Sequence, residues 1–207
     1  MRVSLGSVPA RRTLKLAQNA LTMVGALALG YCLAVFLEAE FYQHGAARDF
    51  ARELRLKEGN KAAPVDSVAP VRTPDRHGVV GSLEIPRIGV SVMVVEGVDD
   101  GDLKRAVGHI PGTALPWEPG NVGIAGHRDT FFRPLRSIRP DDTITVSTLQ
   151  GAYRYRVVST SVVGPEDIRV LYPAGRDSLT LVTCFPFEYV GSAPKRFIVR
   201  ADRLSGR

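Results

Sequence analysis

Residues 178–187 read SLTLVTCFPF. The run Ser178–Cys184 is apolar and β-branched, too short for an ordinary helix, and is closed by the turn pair Phe185-Pro186. Working outward, six comparable segments recur: VVGSLEIP (79–86), GVSVMVVEGV (89–98), NVGIAGH (121–127), TITVSTL (143–149), YRYRVVSTSVV (153–163) and KRFIVRAD (195–202). The alternation in YRYRVVS marks a strand with one exposed face. Turn formers separate the runs, among them Pro111-Gly112, Pro119-Gly120 and Gly151. No long stretch of helical period competes, and only short helical turns are expected, at Asp102–Val107 and Phe131–Ile138. About seven strands with such punctuation predict an all-β domain over residues 79–207. It is either a closed barrel or a sandwich, and pattern alone does not choose.

The residues before it are of another kind. Ala20–Leu37 is an uncharged stretch of 18 residues, at the lower end of what spans a bilayer as a helix. Arg2, Arg11, Arg12 and Lys15 precede it, and Glu38 and Glu40 follow. That asymmetry puts residues 1–19 in the cytoplasm, makes 20–37 a transmembrane signal anchor and places the remainder outside the membrane. The run is longer than a cleaved signal core, and bulky Tyr31–Phe36 stands where a cleavage site would need small residues. Residues 38–78 then form a connection. ARDFARELRLKEGNK (47–61) belongs to an amphipathic stalk helix ending at Gly59 and Asn60, and residues 62–78, with Pro64, Pro70 and Pro74, form a semi-extended linker.

Composition narrows the function. The chain of 207 residues carries 27 Lys+Arg against 21 Asp+Glu. The first 78 residues hold 11 basic and 7 acidic side chains and the rest hold 16 and 14. Most of the basic excess therefore lies outside the β domain, and no nucleic-acid partner is expected. Two cysteines make neither a disulfide scaffold nor a four-thiolate zinc site.

Four histidines are present. His44 and His77 fall in the stalk and linker and read as solvated spacers; His109 reads as structural or rim-exposed. His127 ends the strand-like NVGIAG, where the chain turns out, a place where sites are commonly built. Cys184 ends SLTLVTC. It is either a small buried hydrophobe or a nucleophile, since a thiol becomes reactive as its thiolate and a nearby imidazolium stabilises that form. Arg196 is, by spacing alone, a charge on an edge strand, or else a donor to a developing oxyanion.

Together AGHRDTFFRPLRSI (125–138), LTLVTCFPF (179–187) and Arg196 resemble the sortases, most closely those of class D. GHIPGTALPWEPGN (108–121) resembles the segment that precedes the histidine in that class. The resemblance implies an eight-stranded sortase-type β-barrel with short helices behind the membrane anchor. It implies a cysteine transpeptidase that cleaves an LPxTG-like sorting signal at the Thr carbonyl and passes the acyl group to an amine. Cys184 would be the nucleophile, His127 the general acid/base and Arg196 the stabiliser of substrate or intermediate. Thr183 would help hold the acyl carbonyl. Asp129 would either orient the imidazole or, as preferred, cap the turn at Phe131–Ile138. The partners implied are secreted proteins bearing sorting signals and an amine from a peptidoglycan peptide or a pilin Lys, at the cell membrane. No metal or organic cofactor is implied, and Glu166 and Asp167 read as a solvated turn. The alternative is a catalytically silent, membrane-tethered barrel serving as a binding or scaffold module.

Overall fold

The computed structural model describes residues 10–60, 74–173, 175–189 and 191–204. The chain divides into two units, one ending at Phe41 and one beginning at Tyr42, and the boundary falls inside the first helix, α1 (Ala10–Asn60).

In the first unit α1 is long and apolar enough to cross a membrane. Leu21, Val24, Leu27 and Leu29 are exposed around it, an arrangement that suits lipid rather than water on all sides. α1 is continuous to Asn60 through the stretch read as the stalk, whose residues are largely helix formers without Pro.

The second unit holds eight strands: β1 (Val79–Ile85), β2 (Val90–Glu96), β3 (Val107–His109), β4 (Asn121–Ala125), β5 (Thr143–Thr148), β6 (Gly151–Val163), β7 (Ser178–Phe185) and β8 (Lys195–Arg203). They close into a barrel in the order β1-β2-β3-β4-β7-β8-β6-β5. The barrel, not the sandwich, is therefore the architecture. Pairs β2/β3 and β4/β7 are parallel and the rest antiparallel. The short helix α2 (Asp100–Arg105) links β2 to β3, and a 3-10 turn at Arg133–Ser137 follows β4.

Alternation decides what fills the barrel. In β5, Ile144 and Val146 are fully buried while Thr143 and Thr145 are only partly so. Leu83, Val94, Ile124, Leu179, Leu181 and Val199 from other strands join them in one buried cluster, together with Phe132 and Leu135 at the 3-10 turn after β4. Each fully buried side chain of this size contributes about 1.5–3 kcal/mol. At Gly81 the walls come so close that a Cβ would lie 2.1 Å from the Ser147 carbonyl oxygen.

The later part of α1 packs on this barrel. Phe50 is buried, Gln43 accepts from Met93 N (2.9 Å) and donates to the Arg105 carbonyl, and Lys57 Nζ donates to the Leu149 carbonyl (3.3 Å). Leu149 lies in the β5–β6 turn. Val163 pairs with Arg196, so β6 ends beside the start of β8 and begins, at Gly151, at the opposite end of the barrel. The stalk contact at Leu149 thus lies away from Cys184, which also faces Arg196.

Of the linker expected over 62–78, residues 62–73 lie outside the described residues. His77, expected to be a solvated spacer, is instead tied in: its backbone N–H donates to the Glu96 carbonyl and its Nδ1 lies 2.8 Å from Asp102 Oδ2. A buried carboxylate demands such partners.

Candidate active site

Two strand pairings assemble the site. β7 and β8 are antiparallel with Cys184 directly opposite Arg196, which puts both side chains on one face of the sheet. β4 and β7 are parallel with Ala125 in register with Val182, and Gly126 N donates to the Val182 carbonyl (3.1 Å), carrying the ladder past the end of β4. Two residues beyond the Ala125–Val182 pair stand His127, past the end of β4, and Cys184, on β7. One strand end therefore gathers His127, Cys184 and Arg196, residues up to 69 positions apart in the sequence.

Cys184 is half-buried rather than packed away, as a plain core cysteine would be. β8 is paired on both sides, by β7 and β6, so Arg196 is not an edge-strand charge. Its guanidinium rests on the carbonyls of Lys195 (3.1 Å) and Ala193 (3.3 Å).

Gly126 is glycine because nothing larger fits. A Cβ there would lie 2.7 Å from Phe132 Cδ2 and 2.9 Å from Val107 Cγ1. Its carbonyl accepts from Thr183 Oγ1 at 2.7 Å, and Thr183 is buried. The Thr183 hydroxyl is thus engaged in joining the two strands, which leaves only its backbone to face an acyl group.

Asp129 does not cap the turn. The residue before the 3-10 helix Arg133–Ser137 is Phe132, and no side chain caps it. The turn is instead started by backbone bonds, Phe132 N to the His127 carbonyl and Arg133 N to the Thr130 carbonyl. The Asp129 carboxylate is largely exposed and lies 3.4 Å from Arg128 Nε.

Arg128 was not singled out from the sequence. It is buried, and its guanidinium donates to the carbonyls of Pro186 (2.9 Å), Tyr189 and Gly191 (3.1 Å), while lying over the Tyr189 ring. It ties the loop after His127 to the loop between β7 and β8. A cation directly after a histidine at a strand end was the available signal. The acceptors are main-chain carbonyls, and these leave no mark in a sequence. On the other flank Phe185, Phe187 and Phe197 form an aromatic wall, with centroids 5.3–6.3 Å apart.

Several other ionisable residues are engaged away from this site. His109 is buried on β3 with Nδ1 2.7 Å from Glu96 Oε2. Asp167 is held below the ordinary carboxyl range by the Arg169 guanidinium. His77, Asp99 and Asp102 bring ligand atoms within 4.8 Å of one another, but Arg76 and Arg105 already pair with the two carboxylates. Burial raises the Asp102 pKa, and the hydrogen bonds from His77 and Arg105 more than reverse that, leaving it below its usual value.

A half-buried cysteine opposite an arginine, with a histidine just past the end of the neighbouring parallel strand of a closed barrel, is an arrangement that suits cysteine-dependent acyl transfer. Residues 83–204 match the sortase domain family. The chain belongs to the sortase family, and is a cysteine-dependent transpeptidase of it. It is 36% identical over 133 residues to Sortase D of Bacillus subtilis (strain 168), covering 64% of this chain and 67% of that protein. It is 26% identical over 132 residues to Sortase A of Bacillus anthracis, covering 62% and 61%. These matches span about two thirds of the relatives' length or less. Among solved structures it resembles a Clostridium perfringens Sortase D5 transpeptidase, with a TM-score of 0.66, 25% identity and coverage of 79% of this chain and 99% of that one. The class D resemblance read from the motifs therefore holds.

Proposed function

We propose that this protein is a membrane-anchored sortase that cleaves LPxTG-like sorting signals and joins the acyl fragment to an amine acceptor. The observation that carries the reading is the convergence of His127, Cys184 and Arg196 on one barrel end through two strand registers. In this reading the Cys184 thiolate attacks the Thr carbonyl of the signal. The C–N bond breaks and the imidazolium of His127 protonates the departing amine. Arg196 turns from the carbonyls of Ala193 and Lys195 to donate to the oxyanion. An incoming amine then attacks the thioester, gives its proton to His127, and the electron pair returns to the Cys184 sulfur. Thr183 serves by holding the two strands together, and Asp129 supports the site through Arg128. The aromatic wall of Phe185, Phe187 and Phe197 supplies an apolar surface suited to the Leu-Pro end of a signal. The apolar part of α1, preceded by four basic residues, anchors the chain with its N-terminus in the cytoplasm and the barrel outside.

The test is the intact mass of the purified protein after exposure to LPxTG- and LPxTA-like peptides. A mass increase equal to the acyl fragment, absent in Cys184→Ala, is expected. No adduct with any peptide, in a folded protein whose Cys184 resists alkylation, would favour a silent binding barrel instead.

A further inference from the structure

Next to the His127 loop, the 3-10 turns Pro86–Ile88 and Arg133–Ser137 pack together beside a cavity of about 520 Å3. Its polar lining comes from Arg87, Thr130, Arg133, Arg136 and Ser137, with no carboxylate among the described lining residues. Two of these cations are little neutralised. Arg87 is held by Asp142, which accepts from both its Nε and its Nη2. Arg136 reaches Glu188 only at 4.0 Å, with both side chains exposed, a pairing of small value. Arg133 is exposed and has no ion pair among the described residues. Residues three apart on a 3-10 helix eclipse one another, so Arg133 and Arg136 stand on the same side of the turn. Two like charges so placed repel, and an anion between them relieves the repulsion.

The position of the cavity says which ligand would bring that anion. Thr130 stands three residues after His127, a span of at most about 10 Å of chain. In the reading proposed above, on which this inference rests, His127 takes the proton of the incoming amine. A group carried on that amine by a linker of comparable length can therefore reach Thr130, which lines the cavity together with Arg133 and Arg136. Guanidinium groups bind carboxylates in a planar fork, the strongest of ordinary charged pairings.

We propose that this cavity docks the carboxylate of the acceptor, and that the acceptor is a short peptide amine with a free carboxylate about 10 Å from the reacting nitrogen. A cell-wall peptide has that chemistry; an internal Lys on a neutral protein surface does not. The cavity takes no part in bond making. It raises the residence of the correct amine at the thioester, so it governs aminolysis against hydrolysis rather than formation of the thioester.

The test uses the full chain in detergent micelles with a peptide that acylates Cys184, and two acceptors, triglycine and triglycinamide. The two share one amine, and only the first carries a carboxylate, about three residues or 10 Å away when extended. Triglycine is expected to be used with a kcat/KM about tenfold higher, a preference that shrinks in high salt. In Arg133→Gln/Arg136→Gln the preference is expected to vanish while thioacyl formation continues. Circular dichroism of that variant checks its fold, and Arg133→Lys should keep part of the preference. Equal use of the two acceptors by the natural protein, or a preference surviving in Arg133→Gln/Arg136→Gln, overturns the cavity assignment alone. A protein that forms no thioacyl adduct with any LPxTG- or LPxTA-like peptide overturns the sorting-signal reading as well, so the two failures are distinguishable.

Discussion

Thr183 Oγ1 donates to the Gly126 carbonyl oxygen at 2.7 Å, joining the two strands of the site one residue before Cys184 and one residue before His127. The bond is buried, so neither partner can exchange it for water. Thr183→Val keeps the shape and removes the donor, leaving the Gly126 carbonyl unpaired at a cost of about 1–3 kcal/mol. The larger effect is expected in catalysis. A displacement on the order of 1 Å between reacting groups can cost roughly a hundredfold, so peptide cleavage should fall about ten- to a hundredfold. Thr183→Ser should recover most of the rate. Cleavage kinetics alongside thermal melts of both variants would check this, and full activity in Thr183→Val would remove the bond from the working site.

Arg128 offers a second test from the opposite side of the site. Its planar guanidinium serves three carbonyls, on Pro186, Tyr189 and Gly191. Lysine has a point charge and no fork, so Arg128→Lys should keep the charge and lose most of the tether. The β7–β8 loop should then be cut faster by proteases, and KM for the sorting peptide should rise several-fold with a smaller change in kcat. A loop equally protected in Arg128→Lys would show that Arg128 is not what holds it.

What could be read from the chain follows from how local each signal is. Seven strands announced themselves as short apolar, β-branched runs between turn formers, and their ends agree with the structure within a residue or two, as at TITVSTL against Thr143–Thr148. β3 did not. It has three residues, all buried, and Gly108 at its centre lies where a Cβ would be 1.9 Å from the Gly97 carbonyl oxygen. Too short to alternate and hidden on both faces, it leaves no period to find. Closure was also silent, since the β1–β5 and β4–β7 pairings join distant segments. Cys184, His127 and Arg196 were proposed through motifs, and the strand registers bring them to one end of the barrel. The bonds that support them end on backbone carbonyls, which every residue has, so Arg128 and the strand-joining role of Thr183 emerged only from the fold.

Asp102 makes stability depend on acid in a stated direction. Its carboxylate accepts from His77 (2.8 Å) and Arg105 (2.9 Å), and its folded pKa lies below the ordinary value, which for Asp is about 3.9. A depressed pKa contributes stability that is present above the unfolded value and lost as pH falls through the folded one. Asp102→Asn should therefore melt below the natural protein at pH 7, and the gap should narrow as pH drops below about 4. Melting curves of both proteins across that range decide the matter: a gap that stays constant down to about pH 3 would mean that the charge of Asp102 does not stabilise the fold.

Tyr155 should behave in the opposite sense to most core residues. It is almost completely buried in the barrel, its hydroxyl has no hydrogen-bond partner among the described residues, and burial pushes its pKa up to about 12. The ring packs with the core cluster, whereas the hydroxyl contributes a polar group taken out of water. Tyr155→Phe keeps the ring and removes that group. Most substitutions of a large buried side chain destabilise by about 2–5 kcal/mol, but this one should be neutral or stabilising by about 1 kcal/mol. At this chain length such a gain corresponds to a rise in Tm of about 2–4 °C. Tyr155 lies on β6, opposite Arg203 and Ile144 rather than beside Cys184, so thioacyl formation should be unaffected. A clear fall in Tm would mean that the hydroxyl is hydrogen-bonded in solution and is part of what holds the barrel closed.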